Sequence, residues 1–158
     1  MIDTRNIQPD ETLTIGGPYK IPIPRGFDVA DTTANVHGKL KNTGAGFALG
    51  AQGQTQLAMR CSRCLMPLDV QISFIINETF APQDIATDEE IGFADYQIDL
   101  IPAIKRNLLA DIPMKPLCDD DCAGLCKACG KNLNQEDCQC DGEIINEQFR
   151  ELLQMFDD

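Results

Sequence analysis

The sequence predicts an α+β fold in which an antiparallel sheet, with a barrel-like form as an option, packs with two helices and a cysteine-rich segment. Three observations indicate this fold. Apolar and polar residues alternate between residues 34 and 74, two stretches near residues 100 and 150 carry apolar residues at helical spacing, and six of the eight cysteines fall within residues 118–140. A chain of 158 residues fits one domain with a small appendage.

The alternation is clearest in two stretches. ANVHGKLK puts Ala34, Val36 and Leu40 on one face, and LDVQISFII (residues 68–76) repeats the pattern. Period-two patterning that is interrupted by Gly and Asn turns is typical of an antiparallel meander. The sequence therefore predicts strands through this region.

Two helices are expected. DLIPAIKRNLLADIP (residues 99–113) places a stripe of apolar residues on one helical face, with Asp99 as N-cap and Pro113 as the stop. DGEIINEQFRELLQMF predicts a second amphipathic helix, whose apolar stripe is Ile145, Phe149, Leu152 and Phe156. The predicted organisation is a β body with one helix over residues 1–115, a cysteine-rich metal-binding segment over 116–141 packed on it, and a terminal helix over 142–158.

The cysteines carry the strongest chemical signal. Cys126-Lys-Ala-Cys129-Gly130 has the form of a zinc knuckle, and the pair in Cys138-Gln-Cys140 follows nine residues later. Four thiolates from one short segment can close a tetrahedral zinc site. This predicts a local Zn²⁺ site.

A second site requires pairing over a long distance. Cys61-Ser-Arg-Cys64 and Cys118-Asp-Asp-Asp-Cys122 each supply half of a tetrahedron. Closing a loop of about 57 residues costs ~3.5 kcal/mol, whereas structural zinc contributes ~10–16 kcal/mol. We therefore expect two Zn²⁺ ions, each held by four cysteines.

Other uses of the cysteines remain open at this stage. One zinc with some free cysteines, iron in place of zinc, disulfides and a thioredoxin-like redox pair are all weaker alternatives. A zinc or redox enzyme is less favoured, because a catalytic zinc keeps an open position and usually mixes His or carboxylate with Cys. The lone histidine, His37, lies on the polar face of a predicted strand. We expect no enzyme and no small-molecule substrate.

The expected compartment and the net charge limit the kinds of partner that this protein can have. The first residues lack an apolar signal-peptide core and no stretch is long enough to cross a bilayer, so we expect a cytoplasmic protein with no membrane partner. The formal net charge of −12 argues against non-specific nucleic-acid binding and suits a basic partner. We read the acidic run from Asp84 to Asp95 as a solvated loop.

Basic residues near the cysteines are candidates for RNA contact. Arg60, Arg63, Lys127 and Lys131 all lie within three residues of a cysteine. They either screen the anionic thiolate clusters or form a phosphate-contacting patch on an acidic body. No aromatic platform accompanies them, so single-strand base reading is not expected.

The motifs CSRCL (residues 61–65) and PLCDDDCAGLCKACGKNLNQEDCQC (116–140), followed by a short terminal helix, resemble the bacterial YceD family, described as a large ribosomal RNA subunit accumulation protein. The resemblance runs from about residue 20 to the end, and it marks all eight cysteines as the functional residues. It implies a non-enzymatic factor in large-subunit assembly.

Two kinds of partner fit that role. One is ribosomal RNA, bound through the basic residues. The other is a basic protein of the large subunit, shielded by acidic residues that include Asp119–Asp121 and the 84–95 loop. The net charge favours the protein slightly.

Overall fold

The computed structural model describes residues 1–24, 27, 29 and 31–140. The chain divides into two compact units. The first, which we call the sheet unit, comprises Met1–Met59 and Asp69–Met114. The second, the cysteine unit, comprises Arg60–Leu68 and Lys115–Asp158, of which residues 141–158 are outside the described part. The terminal helix predicted over residues 142–158 therefore lies outside the described residues.

The elements follow in the order β1 (Ile2–Asp3), β2 (Thr12–Pro22), β3 (Asp31–Asn42), β4 (Phe47–Arg60), β5 (Pro67–Pro82), β6 (Ile91–Phe93), β7 (Gln97–Ile98) and α1 (Ile101–Asp111). Strands β2 to β6 form one sheet in sequence order, and β1 pairs with β7 in a second, two-stranded sheet. Most of the described architecture is therefore sheet.

The predicted alternation forms the main sheet. In β3 the side chains of Ala34, Val36 and Leu40 are fully buried, and the intervening residues are exposed or half-buried. The antiparallel register places Leu40 opposite Leu49 of β4, so both strands turn their apolar residues to the same side. One face of the sheet thus supplies the core, as period-two patterning requires.

One strand departs from the predicted antiparallel arrangement. Strand β6 runs parallel to β5, with Phe80 opposite Ile91 and Pro82 opposite Phe93. Parallel neighbours usually need a long crossover, but only three residues pair here. The chain therefore has to return only about 10 Å from the end of β5 to the start of β6. Residues 83–90 can span this distance without a helix.

The barrel option is not supported. Within the described residues the main sheet has the open order β2-β3-β4-β5-β6, with β2 and β6 at its two edges. Among the residues described α1 is the one helix, and the second predicted helix lies outside them. No helix in this part of the chain is long and apolar enough to cross a membrane.

Helix α1 follows the sequence prediction closely. It buries Ala103, Ile104 and Leu108 and ends at Asp111. The next residue is extended, as expected for a residue that precedes proline. The N-cap is Leu100 rather than Asp99, but the Asp99 carboxylate still accepts a hydrogen bond of 2.9 Å from the first helical N–H, that of Ile101.

A strained turn joins β6 to β7. Its two central residues, Asp95 and Tyr96, have φ values of 52° and 57°, and Ala94 pairs with Gln97 across it. Asp tolerates the left-handed region, whereas a bulky side chain there costs roughly 1–2 kcal/mol. Tyr96 also leaves 62% of its surface exposed.

Two glycines of β4 give a matched test of the packing. A Cβ at Gly53 would lie 2.2 Å from the ring of Phe74, whereas a Cβ at Gly50 would meet nothing within 4 Å. We expect Gly53→Ala to lower the free energy of unfolding by about 1–3 kcal/mol. Gly50→Ala should raise it by about 0.5–1 kcal/mol, because glycine weakens a strand interior. Denaturant unfolding of both variants checks this, and equal effects would contradict the sheet packing.

Candidate metal centres

The eight cysteine sulfurs form two groups. Cys61, Cys64, Cys118 and Cys122 make the first site, and Cys126, Cys129, Cys138 and Cys140 make the second. Within each group the Sγ atoms lie within 4.8 Å of one another, and all eight cysteines are free thiols. The structure therefore divides the cysteines into the two sets that the spacing indicates.

The sulfur separations suit a tetrahedral ion. The Sγ atoms of Cys61 and Cys122 are 3.8 Å apart, those of Cys64 and Cys118 are 3.5 Å apart, and those of Cys126 and Cys138 are 3.3 Å apart. A tetrahedral metal with bonds of about 2.3 Å to sulfur holds its ligands roughly 3.8 Å apart. The donor set and its dimensions fit such an ion at both sites.

Backbone amides favour the thiolate at the first cysteine of each knuckle. The N–H of Arg63 donates to Cys61 Sγ at 3.5 Å. The pKa of Cys61 falls to about 6, chiefly because of the Cys64 N–H and despite the cost of burial. In the second knuckle the pKa of Cys126 also falls to about 6, with the Cys129 N–H as the main cause. The same local geometry thus prepares an anionic ligand in both sites.

The sulfurs that complete each group behave in the opposite way. The pKa of Cys118 rises to about 12, first because of its contact with Cys64 and then because of Cys122. The pKa of Cys140 also rises to about 12, with Cys129 as the first cause. Four clustered thiols cannot all ionise without a compensating positive charge. A bound cation would supply that charge and allow all four thiols of a group to ionise.

Residue Arg63 ties the two halves of the first site together. Its Nη1 donates to the carbonyl oxygens of Asp120 at 3.1 Å and Cys122 at 2.9 Å. Its own carbonyl accepts the N–H of Leu125 at 3.1 Å. Arg63 was a candidate for RNA contact, and the structure gives its guanidinium an internal role beside the site.

Sequence reasoning missed Asn134. Its Nδ2 donates to Cys122 Sγ at 3.3 Å, and its Oδ1 accepts the N–H of Ala123 at 2.7 Å. A donor to a ligating sulfur tunes and orients the ligand. The available signal was an amide residue close to the second knuckle, but the spacing alone could not show that it reaches the first site.

The remaining basic candidates lie at the surface of the cysteine unit. Arg60, Lys127 and Lys131 are exposed, and Lys131 pairs with Glu136 at 3.2 Å. Residues 60–68 and 115–140 contain five Lys or Arg and five Asp or Glu, so their side-chain charges balance. His37 is exposed on β3 in the sheet unit and belongs to neither cysteine group.

The two knuckles differ at the residue after the second cysteine. This position has a φ of 75° at Gly130 and of 59° at Leu65. Glycine adopts this backbone conformation without steric cost, whereas a leucine is strained there. The Leu65 side chain is also 55% exposed, so packing of the described residues does not account for the strain.

The glycine of the second knuckle can be tested by substitution. A Cβ at Gly130 would meet nothing within 4 Å, so Gly130→Ala changes only the backbone preference. We expect the second site to bind metal roughly fivefold more weakly, the equivalent of about 1 kcal/mol. Competition with a chromophoric chelator measures this. Gly130→Asn is the control, because Asn tolerates a positive φ and should retain most of the affinity.

The cysteine-bearing part of the chain matches a known protein family. The family model described as "Large ribosomal RNA subunit accumulation protein YceD" matches residues 49–156, which include both cysteine groups. An uncharacterized protein of Mycobacterium tuberculosis is 39% identical over 82 residues, covering 48% of this chain and 40% of that protein. An uncharacterized protein of Mycobacterium leprae is 33% identical over 79 residues, covering 46% of this chain and 36% of that protein.

A plant protein carries the same family name. The Zea mays protein named large ribosomal RNA subunit accumulation protein YCED homolog 1, chloroplastic, is 38% identical over 61 residues, covering 37% of this chain and 21% of its own length. No solved structure matches the chain. The match to the mycobacterial relatives spans less than half of their length. Because the family model covers more than half of the chain, the chain belongs to the YceD family.

Proposed function

We propose that this protein is a non-enzymatic factor that supports the accumulation of large-subunit ribosomal RNA, in a cytoplasmic setting, with two structural Zn²⁺ ions holding its cysteine unit. The family match over residues 49–156 carries the ribosomal part of this proposal. The two cysteine groups support the metal part.

The donor sets favour structural over catalytic metal. Each group offers four cysteine sulfurs, which fill a tetrahedral coordination shell and leave no position for water or substrate. Groups of this kind take zinc or iron. Zinc is proposed because it has no redox chemistry and closed sites of four cysteines are its usual structural form.

The charges of the cysteine unit favour one kind of partner over the other. The described part of the cysteine unit has as many acidic as basic side chains, and a Zn²⁺ held by four thiolates is itself a net anion. RNA binding draws on cationic contacts with phosphate, and basic candidates such as Arg63 and Lys131 already have partners within the chain. These facts favour a basic ribosomal protein over RNA as the direct partner.

RNA contact remains the second candidate because Lys127 is exposed on the knuckle of the second site. A lysine there can approach a phosphate without desolvating a buried group. In that case ribosomal RNA is the direct partner.

Metal analysis tests the structural role of the cysteines. We expect two Zn²⁺ per chain, one for each group. Cys126→Ser should leave about one, because the first site shares no ligand with the second. Elemental analysis of protein purified without chelators gives the count. Protein that carries iron, or protein that retains both metals after the substitution, would contradict the assignment.

A capture experiment tests the function and separates the two partners. Tagged protein is recovered from growing cells, and half of the sample is treated with RNase before capture. We expect a basic large-subunit protein to remain bound after RNase. The double variant Asp120→Asn with Asp121→Asn should capture less of it, because two negative charges that attract the basic partner are removed.

The matched control for RNA contact is a pair of charge reversals. If RNA is the partner, Lys127→Glu should reduce recovery of ribosomal RNA, whereas Lys39→Glu in the sheet unit should not. Eluates without any ribosomal component in either half would remove the basis for the proposed function.

A further inference from the structure

A groove in the sheet unit is not used by the metal sites. It has a volume of about 720 Å³ and lies among the start of the chain, the turn between β3 and β4, and the segments around β6. Volumes of this size are typical of sites that bind small molecules or side chains of a partner. Part of the groove comes from residues 4–47, which are outside the family match.

Hydrogen bonds fix the walls of the groove before anything binds. Asn42 joins two of them, because its Nδ2 donates to the carbonyl of Ile7 at 2.9 Å and its Oδ1 accepts the N–H of Gly44 at 2.8 Å. The carbonyl of Tyr96 accepts both the N–H and the hydroxyl of Thr4, at 2.9 and 3.0 Å. A preformed groove avoids much of the ordering cost of binding.

Apolar and aromatic side chains line part of the groove. Phe47 and Phe93 pack edge to face with ring centroids 5.7 Å apart, and Ile7 and Pro82 also line the groove. Tyr96 lines it as well, with 62% of its surface exposed. Its positive φ holds it in a conformation that few bulky residues adopt, and such residues cluster at binding sites.

The charge of the lining is negative. Asp84 and Asp95 are exposed lining residues, and Asp84 begins the acidic run that continues to Asp95. Among the described residues the one lining cation is Arg5, whose guanidinium makes two-pronged hydrogen bonds of 2.5–3.1 Å with the Asp3 carboxylate. The groove therefore combines apolar lining residues, an exposed aromatic ring and two exposed carboxylates that have no ion pair within the described part of the chain.

We propose that this groove binds an extended segment of a basic protein, with an apolar side chain of the segment on Phe47 and Phe93 and a neighbouring Arg or Lys over Tyr96. Aromatic faces attract such cations, and Asp84 and Asp95 complete the contact. The proposal rests on the protein-partner form of the proposed function. RNA does not fit, because its phosphates would face the carboxylates, and a second copy of this chain with its net charge of −12 would repel the first.

The test uses overlapping synthetic peptides that cover the ribosomal proteins of the large subunit, with fluorescence anisotropy against the purified full chain. We expect the bound peptides to share an Arg or Lys beside an apolar residue. The double variant Asp84→Asn with Asp95→Asn should weaken them about 3- to 10-fold, as for two exposed charge pairs. Asparagine tolerates the positive φ of residue 95, so the turn should be preserved.

The matched control removes the same charge from the same acidic run outside the groove. Asp88→Asn with Glu89→Gln should change the affinity for the peptides by less than about twofold, because neither residue lines the groove. Tyr96→Phe should bind like the parent, whereas Tyr96→Leu should lose roughly fivefold or more, because it keeps the strain and removes the ring. Absence of binding by every peptide, equal losses in both double variants, or displacement of the peptide by an oligouridine would each overturn the proposal.

Failure of the groove is distinguishable from failure of the function. In cells that lack the gene, large-subunit ribosomal RNA should fall, and the Asp84→Asn, Asp95→Asn chain should not restore it. Full restoration by that variant overturns the groove proposal while the function stands. Normal ribosomal RNA in cells without the gene overturns the function, whatever the peptides show.

Discussion

The convergence of four sulfurs at the first site is the constraint on which the cysteine unit depends. Cys61 and Cys122 are 61 residues apart in sequence, and Cys64 and Cys118 are 54 apart. Apart from these thiols, the buried cluster among the described residues of the unit is supported by the half-buried Leu68, Leu117 and Leu125. Within this described part, the apolar cluster is small against the conformational entropy of the ordered segments. A cation held by the sulfurs would contribute here what a larger hydrophobic core contributes in the sheet unit.

The sheet unit is stabilised in the ordinary way. Its core draws on all four long strands and on α1, and Glu78 of β5 binds the helix through Arg106 and Asn107. The two units therefore leave two different patterns in the sequence. The sheet unit could be predicted from hydrophobic periodicity, because burial of apolar side chains stabilises it. The cysteine unit could be predicted from the spacing of its cysteines, because its sulfurs cluster.

What the sequence could not show also has physical causes. The parallel pairing of β6 depends on a three-residue contact, which is too short to leave a pattern. The turn at Asp95 and Tyr96 lacks the Gly or Asn that normally signals positive φ. Asn134 reaches Cys122 across 12 residues, and the groove is built from four separated segments. Contacts that are distant in sequence carry no local signal, whereas the strands, α1 and the two sets of cysteines do.

The two sites differ in burial and therefore in how easily an oxidant can reach their sulfurs. Three of the four sulfurs of the first site are buried, whereas none of the second site is. Oxidants attack sulfur according to its accessibility and thiolate character. The sulfurs of the second site are therefore the ones that an oxidant reaches first, whereas three of the four sulfurs that bring distant parts of the chain together at the first site are shielded.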